Sequence, residues 1–184
     1  MSCLRHLQWG PLSLLLALAV FSSSAHSQSV ASADTTPLQF RGVPAGASLN
    51  ALTATIRRLG GERVRCIRSS TDALVQECRG SFVDTTTGLR VDLWLSAIDS
   101  LAGIITFKSD GSSALLERWR VELERRYGKV PTRVQGSQRM MQWVRRGRMI
   151  RLTWRRERAG SSMSVSLVDG RVLDGWGQQK QREQ

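Results

Sequence analysis

Apolar residues recur along this chain with two different periods, and the changes of period mark the elements. Behind Ser48, the residues Leu49, Leu52, Ile56 and Leu59 return at helical spacing before Gly60. A helix over about 49–59 is expected, capped by the serine and stopped by the glycine. Two short mixed segments, 64–68 and 74–79, then flank the turn-prone SSTDA and read as a hairpin. Leu89, Val91, Leu93 and Leu95 alternate with Arg90, Asp92, Trp94 and Ser96, the clearest two-residue period in the chain. A turn at 97–100 leads to a further strand over 101–108.

The same order follows again. SDGSS opens a second helix with Leu116, Trp119, Leu123 and Tyr127 on one stripe, and Gly128 closes it. Segments 140–144 and 149–155 flank the turn RRGR, with Ile150, Leu152 and Trp154 alternating with Arg151, Thr153 and Arg155. Met163, Val165 and Leu167 alternate with serines as a last strand, and GWGQQKQREQ ends the chain as a polar, frayed tail. Helix, about four strands, helix, about three strands, all with short strand-to-strand connections, predicts an α+β fold. The sheet should be mainly antiparallel, of six to seven strands, with two helices packed on one face. The echo of LTATIRRLGG in LERRYGKVP leaves open two α–β units in place of one undivided layout.

The N-terminus changes the picture. Arg5 and His6 precede an apolar run over 12–21 and a small polar stretch over 22–27, the layout of a secretory signal peptide cut after Ala25 or Ser27. The run is too short for the about 20 residues of a membrane-spanning helix. The expected organisation is a signal peptide at 1–27, a flexible leader at 28–37, one domain at 38–173 and a polar tail at 174–184. The only histidines are His6 and His26, so the exported chain keeps none after Ser27. That argues against histidine acid–base chemistry and most transition-metal sites. No metal site and no cofactor is expected.

Export also decides how the cysteines are read. Cys66 and Cys78 stand symmetrically about Asp72 and would face each other across a hairpin centred there. In an oxidising compartment this pair is expected to form a disulfide. Closing a loop of that size contributes about 3 kcal/mol by chain entropy. A metal site is the weaker alternative, because two thiolates without histidine leave coordination incomplete.

Charge adds the one positive clue to function. The formal net charge is +12, and residues 118–158 hold fourteen arginines and lysines against three glutamates. Arg145, Arg146 and Arg148 crowd one hairpin turn, and Arg151 and Arg155 share the polar phase of the strand behind it. Guanidinium forks suit carboxylate and phosphate oxygens, so these five are the candidate anion- or partner-binding residues. Arginine-rich coding and protection of a sheet from edge pairing are the plainer explanations of the same charge. Nucleic acid does not suit an exported chain; an anionic envelope component or an acidic protein does.

The phrases FRGVPAGASLNALTATIRRLGG, LAGIITFKSD and RRYGKVP, with the cysteine pair in the first hairpin and a tryptophan strand, carry a resemblance. Across about 38–168 the chain resembles small exported bacterial proteins of the SmpA/OmlA and β-lactamase-inhibitor-protein-like type. The resemblance implies helices against an antiparallel sheet, and non-catalytic binding of other proteins or support of envelope assembly. This chain departs from the pattern in lacking a lipidation cysteine and in its basic C-terminal half.

Enzymatic readings find little purchase. There is no G-x-S-x-G elbow, and a serine nucleophile would have to borrow Lys108, Lys129 or Lys180 as its base. Asp92 with Asp99, and Asp169 with Asp174, are the carboxylate pairs for a hydrolase, and both flank turns. The expected function is a non-enzymatic periplasmic or envelope binding or assembly module. The alternatives are a small hydrolase using carboxylates or a Ser–Lys pair, and an inhibitor or chaperone-like partner of one protein.

Overall fold

The computed structural model describes residues 37–157 and 160–182; the expected signal segment and the leader up to residue 36 lie outside them. A two-stranded ribbon, β1 (Gln39–Phe40) and β2 (Val43–Pro44), turns through Arg41 and Gly42, both at positive φ, and enters the fold. Helix α1 (Leu49–Arg58) starts where the Ser48 hydroxyl accepts the Ala51 N–H at 3.3 Å. It buries Leu52, Thr55 and Ile56. Four strands follow: β3 (Arg65–Arg68), β4 (Val75–Val83), β5 (Arg90–Ile98) and β6 (Leu101–Gly111).

Helix α2 (Ser113–Tyr127) repeats the serine cap with Ser112. Its buried stripe is Leu115, Trp119, Leu123 and Tyr127, so Leu115 takes the place expected for Leu116, which is only partly buried. Then come β7 (Arg133–Gln135), β8 (Gln138–Arg145), β9 (Arg148–Glu157), β10 (Gly160–Asp169) and helix α3 (Gly170–Arg182).

The main sheet has eight strands in the order β3-β4-β5-β6-β10-β9-β8-β7, antiparallel throughout. Each half is therefore a helix followed by four consecutive strands, and the halves meet back to back along their last strands. At that seam Thr106 stands opposite Ser166, and their hydroxyls lie 3.0 Å apart. Both helices add to a single apolar cluster on one sheet face, as the sequence pattern predicts. At its centre Phe40 meets Phe107 and Trp119 edge to face, with centroids 5.3 and 5.2 Å apart. The Tyr127 hydroxyl accepts the Gln39 N–H at 2.7 Å and donates to the Gln39 carbonyl at 2.7 Å, which ties β1 to the end of α2.

The strand and helix counts exceed the expected six to seven and two. Strand β7 is three exposed residues with no burial pattern to betray it. The polar composition beyond residue 173 predicts a frayed tail, yet α3 runs on to Arg182. Gly170, Gly175 and Gly177 give it weak helix propensity, and tertiary contacts supply what propensity lacks. Leu173 packs where a side chain on Gly103 would stand. Trp176 Nε1 and Lys180 Nζ each reach Asp72 Oδ2 at 2.9 Å. Lys180, then Trp176, then the Leu74 N–H hold the Asp72 carboxyl down to about 2.

Cys66 and Cys78 are directly opposite in the β3–β4 register, with Cα atoms 4.0 Å apart and sulfurs within bonding distance. The disulfide thereby staples an outer strand of the sheet to its neighbour. Among the described residues no helix is long and apolar enough to cross a membrane.

Candidate functional site

Because side chains alternate along a strand, a sheet with its core on one face offers the other face for contact. Val91, Leu93, Leu95 and Ala97 of β5 go to the core, and Arg90, Asp92, Trp94 and Ser96 go outward. Ile98 belongs to the outward phase yet is only 8% exposed, because α3 lies against that end of the face beside Gly103. No other described helix packs on the outer face.

The pairing of the strands lines its residues into rows. One row runs Arg65, Arg79, Trp94, Thr106, Ser166, Arg151, crossing six strands from β3 to β9. Arg151 closes the row by donating from Nε and Nη2 to Gln142 Oε1 on β8, at 3.1 and 2.9 Å. The next row sets Asp92, Lys108, Ser164 and Thr153 side by side. Arg155 lies further along β9, opposite Ser162 and exposed.

Around Trp94 the face hollows into an open groove of about 630 Å³, with Arg63, Arg65, Arg79, Arg90 and Lys108 among its lining residues and Glu62 and Asp92 as its carboxylates. The carboxylates are taken: Arg90 pairs with Asp92 at 2.8 Å and with Glu62 at 3.6 Å. Lys108 turns to Asp110 at 3.5 Å. Arg63, Arg65 and Arg79 have no carboxylate within 4.0 Å among the described residues.

The five arginines singled out from the hairpin do not converge. Arg145 turns toward α2, its guanidinium 5.3 Å from the Tyr127 ring centroid and donating to the Tyr127 carbonyl at 3.2 Å. Arg148, opposite Arg145 in the register, binds Asp169 at 2.6 Å. Arg146 occupies the exposed turn at positive φ. Only Arg151 and Arg155 belong to the outer face. A run of arginines on a strand is divided between the two faces by the two-residue period, and the bend at Arg146 and Gly147 adds a third direction.

Arg65 and Arg79, which charge clustering along the chain does not single out, share this groove with Lys108. They are scattered in sequence: the pairing that Cys66–Cys78 fixes sets Arg65 opposite Arg79, and the β5–β6 register brings Lys108 beside Asp92. That pairing, extended by the outward phase of Trp94, is the signal that points to them.

Of the carboxylates weighed for catalysis, Asp169 is an ion-pair anchor. Asp169 is 1% exposed, and burial alone would raise its carboxyl. Hydrogen bonds from Arg148 and Arg171 outweigh burial and hold it below its ordinary value of 3.8. Gly46, at positive φ, lets the β2–α1 loop approach, and a side chain there would collide with that carboxylate. Asp84 is likewise buried, held low by Thr87 and Arg41 against the effect of burial. Asp92 lies near the start of β5 and Asp99 in the turn just past its end, so the two do not face each other across a cleft.

No family model, curated protein or solved structure matches the chain.

Proposed function

We propose that this protein is an exported, non-enzymatic binding module that holds an anionic component of the cell envelope on its outer sheet face. The carrying observation is the row Arg65, Arg79, Trp94, Thr106, Ser166, Arg151 on a face left uncovered beyond α3, in which Arg65 and Arg79, with Arg63 beside them, have no carboxylate partner among the described residues. Support for export comes from the basic and apolar layout of the first 27 residues, with which a disulfide is compatible.

A rigid antiparallel sheet presents such charges with their spacing already set, so binding costs little ordering of the backbone. Arginine forks then pair with several anionic groups at once. A Ser–Lys enzyme is less favoured: Lys108 stands opposite Ser164 in the register, but its ammonium is directed to Asp110.

Replacing Arg65, Arg79, Arg151 and Arg155 together by glutamine should release the protein from cell-wall preparations or anionic vesicles. Removing a similar charge from α2, as Arg118, Arg125 and Arg126 to glutamine, should leave most retention intact. Wild-type retention should also fall as salt shortens the Debye length from about 10 Å at 0.1 M. Equal loss in both variants would mean that total charge, and not this face, controls attachment.

A further inference from the structure

Deepening that proposal, we infer that the groove over Trp94 is a subsite for a pyranose ring carrying a carboxylate or phosphate, an anionic saccharide. Arg65 and Arg79 are directly opposite across β3–β4, and the adjoining Cys66–Cys78 disulfide prevents a slip of register that would part them. Like charges in facing positions oppose each other, and among the described residues no carboxylate lies within 4.0 Å of either. An anion between the two guanidinium groups removes that repulsion and meets two forks at once.

The next position in the row is Trp94, partly exposed at the groove's floor. Its indole offers a flat apolar surface beside the cationic pair. A bare inorganic anion makes no use of such a surface, whereas the apolar face of a sugar ring does. The rim then supplies polar groups for ring hydroxyls: Asp92 and Glu62 as acceptors through the carboxylate oxygens that Arg90 does not engage, and the Thr106 hydroxyl as donor or acceptor. An acidic peptide, by contrast, would bring its carboxylates against Asp92 and Glu62. The groove's volume of about 630 Å³ lies inside the ordinary range for small-molecule sites, about 300–1,000 Å³.

The test is titration of the mature protein with oligogalacturonate and, separately, a hexose phosphate. Neutral oligosaccharide of equal length, inorganic phosphate and poly-glutamate are the comparisons, with calorimetric affinity as the readout for every variant and the Trp94 indole N–H resonance as a second readout in proteins that keep Trp94. Oligogalacturonate, hexose phosphate or both should shift that resonance and bind at least tenfold more tightly than neutral sugar, inorganic phosphate or poly-glutamate. Arg79→Gln and Trp94→Ala should each weaken binding at least tenfold, and Trp94→Phe, which keeps an aromatic floor and guards against misfolding, should restore most of it. Comparing the two sugar arms says whether the carboxylate or the phosphate is the preferred substituent.

If poly-glutamate binds as well as the sugars and Trp94→Ala changes nothing, the saccharide subsite is overturned while the charged face survives. If no anion binds the wild type at low salt, both fall.

Discussion

Asp169→Ala is expected to lower stability by about 3 kcal/mol, among the largest effects of any single polar substitution in the chain. Removing one partner of a buried ion pair costs about 3–5 kcal/mol, because the other charge is left behind without compensation. The lower end applies, since the Arg148 side chain keeps 29% of its surface in water. Three segments lose their shared anchor together: the β8–β9 hairpin through Arg148, the start of α3 through Arg171, and the loop at Gly46 that packs on the carboxylate.

The same carboxylate gives a sign to the acid response. Its folded value lies below 3.8, so its contribution is complete above about pH 4 and is lost as pH falls through the folded value. Asp84 acts in the same sense. Urea unfolding at pH 7 and pH 3 checks this: wild type should lose stability over that interval, and Asp169→Ala should lose less. An equal acid loss in the two proteins would remove Asp169 from the account.

Trp119→Ala is the second large effect, about 3–5 kcal/mol, the usual cost of emptying a large aromatic site. Trp119 is fully buried and packs edge to face on Phe40, the residue through which β1 enters the core. Trp119→Phe should be far milder, about 1 kcal/mol. The indole Nε1 has no hydrogen-bond partner among the described residues, so the ring loses volume without orphaning an acceptor there. Denaturant midpoints at unchanged slope separate these outcomes. A phenylalanine variant as unstable as the alanine variant would mean that the indole edge makes an essential contact.

Much of the architecture is legible from local pattern alone. The serine caps at Ser48 and Ser112, the two-residue period at 89–95 and the symmetric cysteines lead to α1, α2, β5 and the stapled hairpin. Their short connections lead to an antiparallel sheet. What local pattern cannot express is held by distant partners. Helix α3 exists because Leu173, Trp176 and Lys180 meet Gly103 and Asp72, none of which is near them in sequence. The strand order, with β6 beside β10, joins segments about sixty residues apart.

The candidate site illustrates the same limit. Arg145 and Arg148 form the densest basic cluster with Arg146, but Tyr127 and Asp169 engage them on the core side. Arg65 and Arg79 are unremarkable in sequence and become a pair only when β3 folds onto β4. Clustering along a strand measures charge density without regard to direction, while alternation assigns each residue a side.

Residue-resolved mapping of amide shifts with an anionic oligosaccharide separates the two sides of the molecule most directly. The shifts should gather on β3 to β6 around Arg65, Arg79, Trp94 and Thr106 and extend across the seam toward Ser166 and Arg151, with α1 and α2 quiet. Shifts concentrated on α2 from Arg118 to Arg126, or none at low salt, would contradict a binding role for the outer sheet face.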